Sequence, residues 1–356
     1  MQLSRELDLI ARCCRWNFPG EDRSLTLSGD LDWQRVVRLA RFHRVQGLVW
    51  RALSDSGGCP EEAAEALSGD SARIAAANLV AAAECRRLLA QFTAAQVKLL
   101  FVKGLTLAAL VYGSATSKSA VDIDILIRPE ELTRAADLLR ELGYRPIAPP
   151  GAGDVALRRW HRRRKESAWT RPGSSIAVDL HTGLADNPRL IAGIDADSAS
   201  RSVDIGNGIA LPTLAPDALF AYLAVHGASS AWFRLKWISD FAALVSPLEP
   251  AELARLYRRS QELDAGRAPG QALLLSDTLF DTLDRVPELR AELRRDGTIH
   301  RLHRAALGQL AGRAEPVEPT STPLGTRTIH WTQFLLQPGI RFKWSELRRQ
   351  ARLLLP

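Results

Sequence analysis

The residues best placed to do chemistry in this 356-residue chain are three aspartates and a Lys-Gly pair. Asp122 and Asp124 lie one residue apart in VDIDILI, a run of β-branched and aliphatic residues. A strand points successive side chains to opposite faces, so Val121, Ile123, Ile125 and Ile127 share one face and Asp122, Asp124 and Leu126 the other. Two like charges side by side on an apolar strand resist burial, and a cation is the commonest group to offset that cost. Asp179, in SIAVDLH, is a third acid on the face opposite Ile176, Val178 and Leu180. Upstream, Lys103 and Gly104 close an apolar run and open a helical one. That junction sets free backbone N–H groups and a positive helix end where an anion can sit.

Three carboxylates on neighbouring strands offer the hard oxygen ligands that suit Mg²⁺. Two such ions support phosphoryl transfer by activating a hydroxyl and by neutralising a triphosphate and its leaving pyrophosphate. Lys118, just before the acid pair, adds positive charge. His181 reads as a side chain that hydrogen-bonds locally rather than as a metal ligand, because no second His or Cys stands at ligand spacing.

Positioning these groups takes an α/β unit. The first 95 residues read as helical, with entrances at SGD before Leu31 and CPEE at Cys59 to Glu62. From Gln96 short apolar runs alternate with helices: VKLLFVKG a strand, LTLAALVYG a helix, VDIDILI a strand, PEELTRAADLLRELG a helix, YRPI a strand. KESAWT and SIAVDLHTG flank the turn RPGS and predict a hairpin. After Asp186 comes a short strand-like GNGIALP, and then helical spacing returns over 216–229, 232–245, 250–263 and 269–283. The expected organisation is an N-terminal helical region 1–95, an α/β core 96–186, a C-terminal helical region 187–312, a Pro-rich linker 313–325 and a basic amphipathic tail 326–356 that packs on the core rather than on a membrane surface.

Composition is that of a folded protein, 46% hydrophobic and 24% charged. No apolar run approaches the roughly 20 residues needed to span a bilayer, and no leader opens the sequence, so a cytoplasmic protein is expected. Cys13, Cys14, Cys59 and Cys85 form no metal spacing and read as free thiols. The net charge of +7 is carried almost wholly by Arg. It is compatible with phosphate-rich ligands, while the run WHRRRK, Trp160 to Lys165, reads as a solvated basic surface.

The order of these blocks resembles the DNA polymerase beta-like nucleotidyltransferase superfamily, with its Gly-containing turn at a helix start, its D-x-[DE] strand and its third acid on a later strand. It is most similar to a bacterial family labelled uncharacterised nucleotidyltransferases. The blocks are FVKGLTLAALVYG, VDIDILI, AVDLHTG and HGASSAWFRLKWISD, Val102 through Asp240. The resemblance implies an α+β fold, a small mixed-sheet nucleotidyltransferase core flanked by helical regions. It implies that Asp122, Asp124 and Asp179 ligate metal, with Asp179 also the general base, and that Lys103, Gly104, Lys118 and Lys236 hold the nucleotide. Two Mg²⁺ ions and a nucleoside triphosphate, ATP foremost, are the expected cofactor and substrate. Two positions depart from the pattern: Leu105 stands where the superfamily prefers Ser, and Lys118 where many relatives carry Arg, which removes a bidentate fork.

In the last block Trp232, Lys236 and Asp240 recur every four residues and predict one helix face, on which Lys236 reaches the triphosphate or pairs with Asp240. His226, Trp232 and Trp237 read as packing residues. The expected activity is Mg²⁺-dependent transfer of a nucleoside monophosphate from a nucleoside triphosphate to a hydroxyl-type acceptor, with release of pyrophosphate. The acceptor, a small molecule, peptide, protein or RNA end, is left open by the sequence. The alternative is a non-catalytic binding or regulatory protein on the same fold, antitoxin-like or a biosynthetic-cluster scaffold. A metal-dependent nuclease would use similar carboxylates, but the Lys103-Gly104 cradle and the order of blocks oppose it.

Overall fold

The computed structural model describes residues 3–353 apart from 16, 20–24, 26, 28–29, 57, 121, 312–316 and 322–323. Ser28, Gly29, Val121 and parts of the expected linker and tail therefore lie outside the described residues. Helices α1 (Arg5–Cys13), α2 (Trp33–His43), α3 (Gln46–Leu53) and the 34-residue α4 (Glu61–Ala94) come first. Asp32 caps α2 by accepting the Arg35 N–H, and Pro60 precedes the acidic first turn of α4, where it needs no N–H.

The middle of the chain runs β1 (Leu100–Phe101), α5 (Leu105–Tyr112), β2 (Asp122–Leu126), α6 (Leu132–Glu141), β3 (Arg145–Ala148), α7 (Asp154–His161), β4 (Glu166–Thr170) and β5 (Ala177–His181). These strands form one mixed sheet in the order β1-β2-β5-β4-β3, in which only β2 and β5 are parallel. A hairpin follows, β6 (Ser200–Asp204) and β7 (Ala210–Leu214). The chain ends in α8 (Pro216–Ser229), α9 (Leu235–Val245), α10 (Pro250–Glu262), α11 (Ala268–Phe280), α12 (Pro287–Arg295), α13 (Gly297–Ala311), α14 (Arg327–Gln333) and α15 (Ile340–Leu353). The fold is α+β, a small mixed sheet among many helices.

The two faces of β2 meet two different cores. Ile123, Ile125 and Ile127 pack with Leu88 and Phe92 of α4, Leu139 of α6 and Val178 and Leu180 of β5. Leu126 instead joins Leu100, Val102 and the residues of α8 and α9. The aspartates share the face of Leu126, so the acid site looks toward the C-terminal helices. The hairpin β6–β7 bridges the two cores, with Val203, Ile205 and Leu211 in the core of Ile123 and Val178 and Leu214 in the core of the C-terminal helices.

The C-terminal segment packs on the body of the molecule. Leu336 and Phe342 are buried, and Asn187 donates to the buried Glu346 at 2.9 Å. Within the expected linker, Glu318 accepts from the buried Arg234. No described helix is long and apolar enough to cross a membrane. The four cysteines are free thiols.

Candidate active site

The parallel register of β2 and β5 assembles the acids. Asp122 stands opposite Ala177, Asp124 opposite Asp179, and Leu126 opposite His181. On the other side of β5, β4 sets Ala168 opposite Asp179 and Glu166 opposite His181. Because the strand period is two, Asp122, Asp124, Asp179, His181 and Glu166 all project from one face.

Asp124 is the buried centre of this group. Its Oδ1 accepts from the Lys103 ammonium at 2.8 Å and from His181 Nε2 at 3.0 Å. Its Oδ2 is buried with no hydrogen-bond partner among the described residues. Burial opposes the charge of Asp124, but Lys103 and the bond from His181 hold its carboxyl far below the usual carboxylate range. Burial likewise opposes the charge of Lys103, and Asp124, with Tyr222 and Asp122, holds that ammonium well above its ordinary value.

Asp179 is pushed up to about 7, first by burial and then by Asp124 and Asp122. Asp122 is raised by burial and by Asp124, against the pull of Lys103, Lys236 and Arg44. The face thus carries more negative charge than its own cations neutralise.

This donor set fits a divalent cation. Asp124, Asp179 and His181 each offer a ligand atom within 4.8 Å of the others. A buried, unpartnered carboxylate oxygen beside a second carboxylate that resists ionisation is an environment a hard cation completes. Asp122 is outside that tightest group, two residues earlier on the same face. His181 was expected to hydrogen-bond rather than to ligate. Its partner is not local: across the sheet Nε2–H holds Asp124 Oδ1 and leaves Oδ2 free, while Nδ1 faces Glu166 Oε2 at 3.2 Å, and the ring stands among the three groups that could hold an ion.

The Lys103-Gly104 turn feeds β1 into α5. Gly104 has φ +67°, a left-handed conformation, and a Cβ there would find its nearest neighbours at 3.7 Å or more. Conformation rather than space requires glycine. Leu105, at the departure from the expected pattern, is buried. The hydroxyl of Thr106 does not replace the missing serine, because it is buried and donates to the carbonyls of Phe101 and Lys103 at 3.1 and 3.2 Å.

Lys118 is engaged within the protein. It was expected to face the nucleotide, but it is buried and paired with Asp240 Oδ2, while Tyr112 donates to Asp240 Oδ1 at 3.1 Å. Its charge joins the loop before β2 to α5 and α9. That loop is held again by Asn78 of α4, which donates to the carbonyls of Ala115 and Lys118 at 2.8 and 2.7 Å. Gly47 of α3 lies so close to the Ser117 carbonyl that a side chain there would collide with it. Asn78 and Gly47 position the acid pair, and nothing in their local sequence distinguishes them.

The pairing of Lys236 with Asp240 is corrected by the same contact. Lys236 has no carboxylate partner among the described residues, and burial, then Lys118, lowers it to about 7. It lies near enough to Asp122 to stabilise that carboxylate's charge. The common face with Trp232 is also revised, since α9 starts only at Leu235 and Ala231 and Trp232 adopt φ +48° and +54°. The Trp232 ring folds back onto Gly227 of α8, where a Cβ would strike it. His43 Nδ1 accepts the Leu235 N–H at 3.1 Å and so caps α9, its pKa lowered to about 3 by burial and by Arg234. His226, Trp232 and Trp237 pack together with Phe233 and Phe241 in edge contacts.

No curated protein matches the chain. The family described as uncharacterised nucleotidyltransferase matches residues 29–281, a span that contains the Lys-Gly turn, the three aspartates and α9. The chain therefore belongs to the uncharacterised nucleotidyltransferase family.

Proposed function

We propose that this protein transfers a nucleoside monophosphate from a nucleoside triphosphate, ATP foremost, to a hydroxyl-type acceptor in a Mg²⁺-dependent reaction, on a core of the DNA polymerase beta-like kind. The observation that carries the reading is the opposed pair Asp124 and Asp179, with Asp124 Oδ2 buried and unpartnered. Asp122 and Asp124 hold the metal, with Asp179 completing the oxygen set. Bound there, Mg²⁺ supplies the positive charge that offsets triphosphate and pyrophosphate and eases ionisation of the acceptor hydroxyl.

The acceptor oxygen attacks the α-phosphorus, the bond to the bridging α–β oxygen breaks, and pyrophosphate leaves with that electron pair. The hydroxyl proton passes to an Asp179 carboxylate oxygen, whose affinity for a proton near neutral pH suits a general base. His181 keeps Asp124 oriented, and Glu166 borders His181. The turn at Lys103 and Gly104 cradles phosphate at the start of α5, and Lys236, which has no carboxylate partner among the described residues, faces the triphosphate.

A second reading has its own support. The Lys103 ammonium already neutralises Asp124 at 2.8 Å, as in a nucleotidyltransferase fold kept for binding or regulation rather than catalysis. Calorimetric titration of ATP, GTP, CTP and UTP, with and without Mg²⁺, separates the two. The catalytic reading expects Mg²⁺-dependent binding that Asp122→Asn/Asp124→Asn abolishes. Binding indifferent to Mg²⁺ and to both aspartates would favour the regulatory reading.

A further inference from the structure

A cavity of about 1000 Å³ opens beside the acid site, walled by the turn after α7, the segment that follows β5 and one face of α15. Nine Lys and Arg residues line it against three carboxylates among the described residues. With a net charge of +7 for the whole chain, most of the excess positive charge is gathered here.

On α15, Arg341, Arg348 and Arg352 share a face and, at 1.5 Å per residue, span about 16 Å. Across from them stand Arg162, Arg163 and Arg164, the exposed part of the run WHRRRK. None of these six has a carboxylate partner among the described residues. Guanidinium groups with no carboxylate at ion-pair distance, arranged along a length rather than converged on a point, fit a chain of phosphates better than a single anion.

Two indoles share the wall. Trp344 is 55% exposed, and Trp160 is half-buried with the Arg164 guanidinium 5.6 Å from its ring centroid. A basic groove with aromatic faces is the means by which single strands are held, phosphates on cations and bases on rings.

A short chain of polar side-chain contacts links the wall of the cavity to the acid site. Lys165 and Thr182 line the cavity, and they adjoin Glu166 and His181 in sequence. Lys165 Nζ lies 3.5 Å from Glu166 Oε2, Glu166 Oε2 lies 3.2 Å from His181 Nδ1, and His181 Nε2 lies 3.0 Å from Asp124.

We infer that the cavity binds a single-stranded polynucleotide whose terminal hydroxyl is the acceptor, an inference that rests on the nucleotidyl-transfer reading for the reaction but not for the binding. The terminal hydroxyl oxygen of the strand forms the new bond to the α-phosphorus, pyrophosphate departs with the electrons of the broken bond, and the proton goes to Asp179.

The test is fluorescence anisotropy of end-labelled RNA and DNA oligonucleotides of about 12 residues titrated with the full chain at about 50 and 200 mM salt. The wild type binds at least one of the two, more weakly at the higher salt. Arg341→Ala/Arg348→Ala/Arg352→Ala weakens binding by about tenfold or more and flattens the salt dependence, since each lost phosphate contact lowers the slope. Trp344→Ala weakens binding about fivefold or more by removing a stacking face, with the salt slope unchanged. The three arginines break no ion pair when removed, and unchanged thermal unfolding confirms intact folding.

Four results would overturn the inference: no strand binding at either salt, binding insensitive to the arginine substitutions, displacement of the strand by equimolar inorganic triphosphate, or tighter arginine-dependent binding to phosphatidylserine vesicles. Calorimetry with Mg²⁺ and ATP on the same samples keeps the two readings apart. A variant that loses the strand but keeps ATP supports the cavity as a separate acceptor site. Arginine-dependent strand binding without ATP binding would leave the strand site standing and remove the transfer reaction.

Discussion

Asp124 on β2 and Asp179 on β5 stand directly opposite one another across the parallel pair at the centre of the sheet. One is held ionised by Lys103 and His181, and the other resists ionisation because it is buried and faces Asp124 and Asp122. Two carboxylates in the same place with opposed proton affinities suit different tasks, ligand and proton acceptor.

A divalent cation held between them would stabilise the fold. A ligand at about a hundred times its dissociation constant that binds only the native state adds about 2.7 kcal/mol. Thermal unfolding with increasing Mg²⁺ is expected to show a rising midpoint for the wild type and none for Asp124→Asn/Asp179→Asn.

The affinity for metal depends on pH in a defined direction. Asp179 in the folded chain is pushed up to about 7, so below that pH it carries a proton that a cation must displace. Mn²⁺ affinity is expected to rise up to about tenfold per unit as pH approaches 7 from below, then level off. The same shift means that without metal the native state binds more protons than the unfolded one between its ordinary value of 3.8 and about 7. On this account Asp179 lowers stability as pH rises through that window, and Asp179→Asn removes this component.

Lys118 and Asp240 separate a structural from a nucleotide-binding lysine. Their side chains are 7% and 6% exposed, so Lys118→Met strands a buried carboxylate and is expected to cost about 3–5 kcal/mol in chemical denaturation. Lys118→Met/Asp240→Leu removes both charges and recovers most of that loss. If Lys118 is structural, the double variant still binds Mg²⁺·ATP; a nucleotide-binding lysine would not allow it.

Two glycines on helices separate packing from propensity. Gly227→Ala on α8 drives a Cβ into the Trp232 ring and is expected to destabilise by about 1–3 kcal/mol. Gly69→Ala on α4 meets nothing within 4 Å and is expected to stabilise by about 0.5–1 kcal/mol. Urea unfolding of the pair checks both signs.

The acid strand and the hairpin of β4 and β5 were legible because period-two alternation and turn residues are local signals, and the α+β class followed from the family resemblance. What brought the site together was not local. Lys118 meets Asp240 across 122 positions, and Asn78 fixes the loop before Asp122 from within an Ala-rich helix. The strand at Ser200–Asp204 reads SRSVD, with Val203 alone buried, and so lacks the alternation that would mark it. The late start of α9 reflects left-handed residues at Ala231 and Trp232, a conformation no helical period reveals. The arginine cavity draws on separate segments, and the two that carry most of its arginines, the run WHRRRK and α15, lie some 180 residues apart in the chain.

The most direct test is the anomalous map of crystals soaked with Mn²⁺ and a non-hydrolysable ATP analogue. The account predicts a peak in contact with Asp124 Oδ2 and with an oxygen of Asp122 or Asp179, the triphosphate running toward Gly104 and Lys236. Clear triphosphate density with Lys103 still bonded to Asp124 and no peak at the three aspartates would contradict it.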